Sequence, residues 1–190
     1  MSRTYTLKRR AEQQAETRQR IVEATVELHS SVGPASTSIS MIAERAGVQR
    51  HTVYAHFPDE RSLFMACSGL VYERDPVPDA GAWRAIEDRG ERLRTALTAI
   101  YGWYQRNVAV LGCVLRDAEH HAVTRETAAL RFGPVMAAWR EVLGEGLSAM
   151  QQPVLALALS FYTWRTLTRD GGLSQPEAVA AMVRAILGRA

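Results

Sequence analysis

Arg50, His51, Thr52, Tyr54 and His56 crowd five hydrogen-bonding side chains into seven residues around a single apolar Val53. A guanidinium carries a planar fork of donors that fits guanine N7 and O6, an imidazole donates or accepts, and hydroxyls suit phosphate oxygens. The chemistry this cluster supports is recognition of a nucleic-acid surface. Other reactive side chains are more scattered. His120 and His121 follow Asp117 and Glu119, a pattern that suggests a metal site. Adjacent histidines on a helix point about 100° apart, however, and no His-x-x-x-His completes a ligand set, so Arg116 to His121 reads as a solvated turn between helices. Cys67 and Cys113 are isolated from each other and from any ligand spacing, which predicts free thiols in a reducing compartment. His29, near a helix end, reads as a surface or dipole-facing histidine rather than a ligand. No Gly-x-Ser-x-Gly, His-Glu-x-x-His, P-loop or Gly-x-Gly-x-x-Gly occurs in a context that would give it mechanical meaning. The expectation is a chain without catalytic residues, metal or cofactor, with a helical enzyme built from scattered residues as an alternative.

The polar cluster needs a helix to present it and a scaffold to hold that helix. Ser38 can cap a preceding helix through its hydroxyl, Ile42 and Ala46 fall on one face of it, and Gly47 supplies the left-handed residue that ends it. The short second helix then runs to the Phe57-Pro58-Asp59 turn, which completes a helix-turn-helix. Ile-Ala-Glu-Arg-Ala-Gly-Val from Ile42 to Val48, Thr-Val-Tyr-Ala-His-Phe from Thr52 to Phe57, and Leu63 beyond them resemble the DNA-binding domain of TetR-family transcriptional regulators. Two departures stand out: Gln49 occupies the usual Ser or Thr capping position, and Glu60 stands where a phosphate-binding Lys is usual, with Arg61 next to it as a substitute. The resemblance implies that Arg50, His51 and Tyr54 face base edges and that Ser40, Thr52 and His56 lie nearer phosphates. Ser38, Gln49 and Arg61 complete the expected DNA-facing set, and Val53 is expected inside.

At 190 residues, 47% hydrophobic and 23% charged, the chain is long enough for a real core in one domain or two small ones. Its formal net charge is only +3, so any DNA binding must come from a local patch. Lys8 is the only lysine among the basic residues, a bias that genome composition explains better than selection for binding. No segment has the length of a membrane span and no apolar leader follows the N-terminal charges, which predicts a cytoplasmic protein. Residues 1–16 are expected to form a flexible basic arm, read either as a solvated tail or as a contact to phosphates or a minor groove. Residues 17–74 are expected to form the helix-turn-helix domain. The first helix runs from Thr17 to Val32, and Asp59 caps a fourth that continues to about Glu73. The two prolines between Asp75 and Gly81 mark a boundary, leaving 75–190 as a second domain.

That second domain contains all four tryptophans. Helices are predicted from about Trp83 or Glu87 to Arg106, from Thr127 to Met150 with an interruption at Gly133-Pro134, from about Pro153, and from a Ser174-x-x-Glu177 capping box. Between Val154 and Tyr162 nearly the whole girth of the helix is apolar, and Ala178, Ala181 and Ala185 give the last helix a small-residue face. Val154, Leu157, Phe161, Arg165, Ala178, Ala181 and Ala185 are therefore expected at a homodimer contact, with a larger monomeric core as the alternative. Tyr101, Trp103, Tyr104, Phe132, Met136, Trp139 and Trp164 either form core or line a largely apolar ligand pocket, with Arg116 or His120 orienting the ligand. Together these readings predict an all-α, two-domain homodimer. It is expected to be a DNA-binding repressor released from a pseudo-palindromic operator by a small apolar effector. A constitutive DNA binder whose second domain only dimerises is the alternative.

Overall fold

The computed structural model describes residues 3–188, and among them there are helices and connecting turns but no strand. The chain forms two compact units, Met1–Arg74 with Gly112–Ala128 and Asp75–Leu111 with Ala129–Ala190. Gly112–Ala128, which the sequence reading gives to the second domain, thus clusters with the first unit. No described helix is long and apolar enough to cross a membrane.

In the first unit, α1 (Arg3–Ser31) packs against α2 (Ile39–Ala46) and α4 (Glu60–Arg74), and α2 packs against α3 (Arg50–His56). Ile21, Val22, Ala24, Leu28, Ile42, Ala43, Ala46, Val53, Phe57, Leu63 and Cys67 form its core. The three-to-four-residue spacing of these positions on α1 gives one apolar stripe, which is why only the second half of the helix is anchored. The expected arm corresponds to helix from Arg3 onward, because Ala11 to Glu16 are good helix formers uninterrupted by Gly or Pro. Met1 and Ser2 of that arm lie outside the described residues. His29, expected at the surface, is only 3% exposed and meets the Phe64 ring edge-on at 4.6 Å. The burial of Leu28 beside it draws the end of α1 inward.

The second unit is built on α5 (Arg89–Arg106), which packs against α10 (Gln175–Leu187) and α9 (Phe161–Arg165), while α8 (Gln151–Ala158) also packs on α10. Asp88 caps α5 by accepting from the Glu91 N–H at 2.7 Å, and the predicted capping box of Ser174 and Glu177 is present at the start of α10. Both α6 (Val108–Ala118) and α7 (Ala122–Gly144) have residues in each unit. Arg116 and Asp117 belong to the last turn of α6, not to a solvated turn; Asp117 is 2% exposed. Helix α7 passes through Pro134 without ending, since Gly133 and Pro134 are exposed and the carbonyl of exposed Leu130 can turn to water. It stops at Gly144, short of the expected Met150.

The long helix expected from Pro153 is broken. The Tyr101 hydroxyl donates to the Ala158 carbonyl at 2.9 Å and the Tyr104 hydroxyl to the Leu159 carbonyl at 2.6 Å. Ser160 adopts an extended conformation and its side chain accepts from the Tyr162 N–H, restarting the helix as α9. Beyond Arg165 the last turn, Thr166–Asp170, widens into a π-helix closed by the Gly171 N–H on the Thr166 carbonyl at 2.8 Å.

Candidate nucleic-acid interface

Two caps and one apolar anchor hold the short helix α3 in place. Ser38 Oγ accepts from the Met41 N–H at 3.2 Å at the start of α2, and Gly47 ends that helix at φ 64° and ψ 41°. The Gly47 and Val48 N–H groups turn back onto the last carbonyls of α2, including Val48 N–H to Ala43 O at 2.9 Å, so the turn is closed by backbone alone. Val53 is fully buried under α3, and Phe57, at the C-terminal end of the helix, is 3% exposed. The Arg18 guanidinium lies over the Phe57 ring at 4.8 Å. With one side of a seven-residue helix fixed in this way, the opposite side must face outward.

That outward side carries the residues picked out in the sequence. Gln49, Arg50, His51 and Tyr54 are exposed, Tyr54 to 49%, and Thr52 and His56 are half-buried along the flank. Ser38 and Ser40 at the start of α2 and Arg61 on α4 are also exposed. Among the described residues no hydrogen bond or ion pair engages the side chains of Gln49, Arg50 or His51, which leaves a donor fork, an amide and an imidazole open to a groove. Gln49 stands at the N-cap of α3 without a side-chain capping bond. Its amide is thus available for the paired hydrogen bonds that Gln makes to adenine. Glu60 opens the first turn of α4, where a carboxylate is favoured by the helix dipole, and its Oε2 lies 4.0 Å from His121 Nε2. Beside it Asp59 accepts from the Ser62 N–H at 2.7 Å, which holds its carboxyl below the usual range.

A polar anchor that the sequence did not disclose fixes the approach to α2. The Asp117 carboxylate accepts from the Ala35 N–H at 2.9 Å and from Arg116 Nε at 2.7 Å, while Arg116 also donates to the Val32 carbonyl at 3.0 Å. Burial raises the Asp117 pKa, but the Arg116 and Ala35 donors outweigh it and hold the carboxyl below its ordinary range. Gly33 makes room for the pair. Its φ is +99°, and a Cβ there would come within 2.4 Å of both side chains, so another residue would be strained and would push the pair aside. The Gly33-Pro34 pair signals only a helix stop in the sequence; its partner lies 82 residues on from Ala35. His121, the other member of this segment read as solvated, pairs with Thr124 Oγ1 at 2.8 Å, and no group of three potential ligands converges among the described residues.

In the second unit the aromatics do come together. Trp103 stacks on Phe132 at 5.8 Å, Phe132 meets Trp139 edge-on at 5.6 Å, and Tyr104 touches both Phe161 and Trp164. Tyr101, Trp103, Tyr104, Trp139 and Trp164 are buried, whereas Phe132 and Met136 are half-buried. Besides the tyrosine hydroxyls on α8, Trp103 Nε1 donates to the Asp75 carbonyl at 3.0 Å and Trp139 Nε1 to the Pro78 carbonyl at 2.9 Å. Trp164 Nε1 is a buried donor without a partner. Of the residues expected at a dimer contact, Leu157, Arg165 and Ala185 are exposed, and Val154 and Ala181 are half-buried. Phe161 and Ala178 are different: at 4% and 0% exposure they lie in the unit's own core, because the break at Ser160 rotates Phe161 toward Tyr104.

Residues 21–67 match the family model for bacterial regulatory proteins of the tetR family. The chain is 46% identical over 57 residues to the HTH-type transcriptional regulator AcrR of Shigella flexneri, covering 30% of this chain and 26% of that one. It is 36% identical over 64 residues to the HTH-type transcriptional repressor KstR of Mycolicibacterium smegmatis, covering 34% and 31%. Across the curated relatives it matches, the chain spans from about a quarter to somewhat over half of their length. The fold as a whole is similar to the crystal structure of the TetR family regulator PfmR from Thermus thermophilus, with a TM-score of 0.61, 21% identity, and coverage of 89% of this chain and 97% of that one.

Proposed function

We propose that the chain is a transcriptional regulator of the TetR family, a homodimeric cytoplasmic repressor that leaves a pseudo-palindromic operator when a small, largely apolar effector binds its second unit. DNA binding is common to this reading and to its alternative, a constitutive binder whose second unit only dimerises. The observation that carries the reading is the α3 surface: Gln49, Arg50, His51 and Tyr54 are held outward by buried Val53, and the first three have no competing partner among the described residues. Repression is supported by the name of the relative from Mycolicibacterium smegmatis. An apolar effector is supported by the aromatic cluster that includes half-buried Phe132, in which Trp164 Nε1 is a buried donor without a partner. Because the tyrosine hydroxyls and the Trp103 and Trp139 indoles already serve backbone carbonyls, an effector there would be held chiefly by shape and apolar contact.

The test is to select bound duplexes from a randomised pool with the purified protein, then to titrate flat hydrophobic compounds while following tryptophan fluorescence and DNA release together. Selection of a two-fold-related sequence, with quenching and release at the same concentrations, is the expected result. Release by none of the compounds, with specific binding intact, would favour the constitutive binder. A ligand that binds both states equally shifts nothing, so quenching without release would also count against effector control.

A further inference from the structure

We infer that the N-terminal part of α1 is a second DNA-contacting element, which reaches the phosphates beyond the half-site read by α3. This rests on the operator reading above and extends it to residues outside the helix-turn-helix. The first 20 residues hold six basic and two acidic side chains, a surplus of four, against a surplus of three for the whole chain. The local patch that a nearly neutral regulator needs is therefore concentrated here. Helix α1 first enters the core at Ile21; Leu7 to Glu16 are exposed on every side, including Lys8, Arg9 and Arg10.

The helix leaves the unit at the edge of the reading surface. Arg18 lies over Phe57, the residue that ends α3, and Arg20 lies 3.9 Å from the position a Cβ would take on Gly47 in the turn before α3. From Arg18 back to Lys8 is ten residues, roughly 15 Å of helix, so Lys8, Arg9 and Arg10 lie about that far along α1 from the contact with Phe57. A reach of that length would bring them to phosphates beside the half-site. A helix that is polar all round gains little from its own chain and is stabilised by an external partner or by its own side-chain pairs. Among the described residues of α1, Gln19 and Glu23 make such a pair, at 3.1 Å. The segment also has no apolar stripe, its only large apolar residues being Tyr5 and Leu7, which disfavours a membrane surface and leaves charge as the basis of recognition.

The test compares the wild-type chain with a Lys8→Gln, Arg9→Gln, Arg10→Gln triple variant on two duplexes carrying the sequence that the wild type selects. One duplex ends at the outer edges of the half-sites; the other is longer by roughly one helical turn on each side. On the longer duplex the triple variant is expected to show a salt dependence shallower by about 0.9 in log–log slope for each phosphate it no longer neutralises, with unchanged preference between specific and scrambled sequence. On the short duplex the two proteins should be indistinguishable. Equal slopes and affinities on the longer duplex would overturn the inference and leave the operator reading intact. A wild type that selects no sequence would overturn both. If wild-type binding to anionic phospholipid vesicles is abolished in the triple variant while DNA slopes agree, the segment belongs to a membrane contact and the inference fails.

Discussion

Arg50 is a polar residue whose proposed role lies outside the fold. Its guanidinium has no partner among the described residues, so Arg50→Ala would remove the proposed contact to DNA without disturbing the core that Val53 anchors. In the proposed complex the substitution is expected to cost about 1–3 kcal/mol and to relax preference at one or two positions in each half-site. Competition between specific and scrambled duplexes measures this; an unchanged ratio would remove Arg50 from the reading set. His29 shows the opposite case, a polar residue whose effect is on the fold. Burial pushes its pKa from 6.5 down to about 4; the nearby Asp117 charge raises it, and His121 lowers it. Its Nδ1 lies 3.6 Å from Cys67 Sγ, and Nε2 is buried without a partner. Between the two pKa values the unfolded chain takes up a proton that the folded chain does not. The stability contributed by the neutral ring is therefore complete above about pH 6.5 and is lost as the pH falls toward 4, a change on the order of 3 kcal/mol. Urea unfolding across that range should show a steeper loss of stability for wild type than for His29→Gln, and parallel curves would contradict it.

Among the elements, those with a local cause were legible and those with a distant cause were not. Ser38, Gly47, Asp59 and the Ser174–Glu177 box announced their helix ends because a cap acts within three or four residues of itself. The outward set on α3 was legible for the same reason, as one apolar Val53 orients a helix of seven residues. The break between α8 and α9 could not be seen, since its donors are tyrosine hydroxyls 57 and 55 residues earlier in the chain. The Asp117 anchor was hidden in the same way, and with it the assignment of the end of α6 to the first unit. These distant ties make the break testable. Tyr104→Phe leaves the Leu159 carbonyl without its donor in a site where Tyr104 is 1% exposed, so a loss of about 1–3 kcal/mol is expected from chemical unfolding. If the variant is as stable as wild type, with the break at Ser160 intact, the break would be a consequence of Ser160 rather than of the tyrosines.

For the whole molecule, reading a two-fold-related operator requires two copies of α3 at a fixed separation, roughly 34–36 Å or a multiple of it. The surface available for a second copy is narrower than the apolar composition of α8 to α10 suggested. Phe161 and Ala178 are in the core of their own unit, so a charge introduced at Phe161 would disrupt the monomer and say nothing about assembly. Leu157, at 55% exposure, and exposed Ala185 are the informative positions. A large apolar side chain left in water on a helix that otherwise packs inward is what a partner copy would cover, and Ala185 allows close approach of a helix to α10. Leu157→Arg and Ala185→Glu change neither core, and both variants should retain the helical content and unfolding midpoint of the wild-type subunit. Each places an unpaired charge in the proposed contact, where burial is strongly unfavourable. Light scattering is therefore expected to show monomers, and binding to the two-fold-related duplex should weaken far more than binding to a single half-site. Folded variants that remain dimeric would move the contact away from this face. Variants that become monomeric but still bind the full operator as tightly as wild type would show that the two copies of α3 are held together by the DNA.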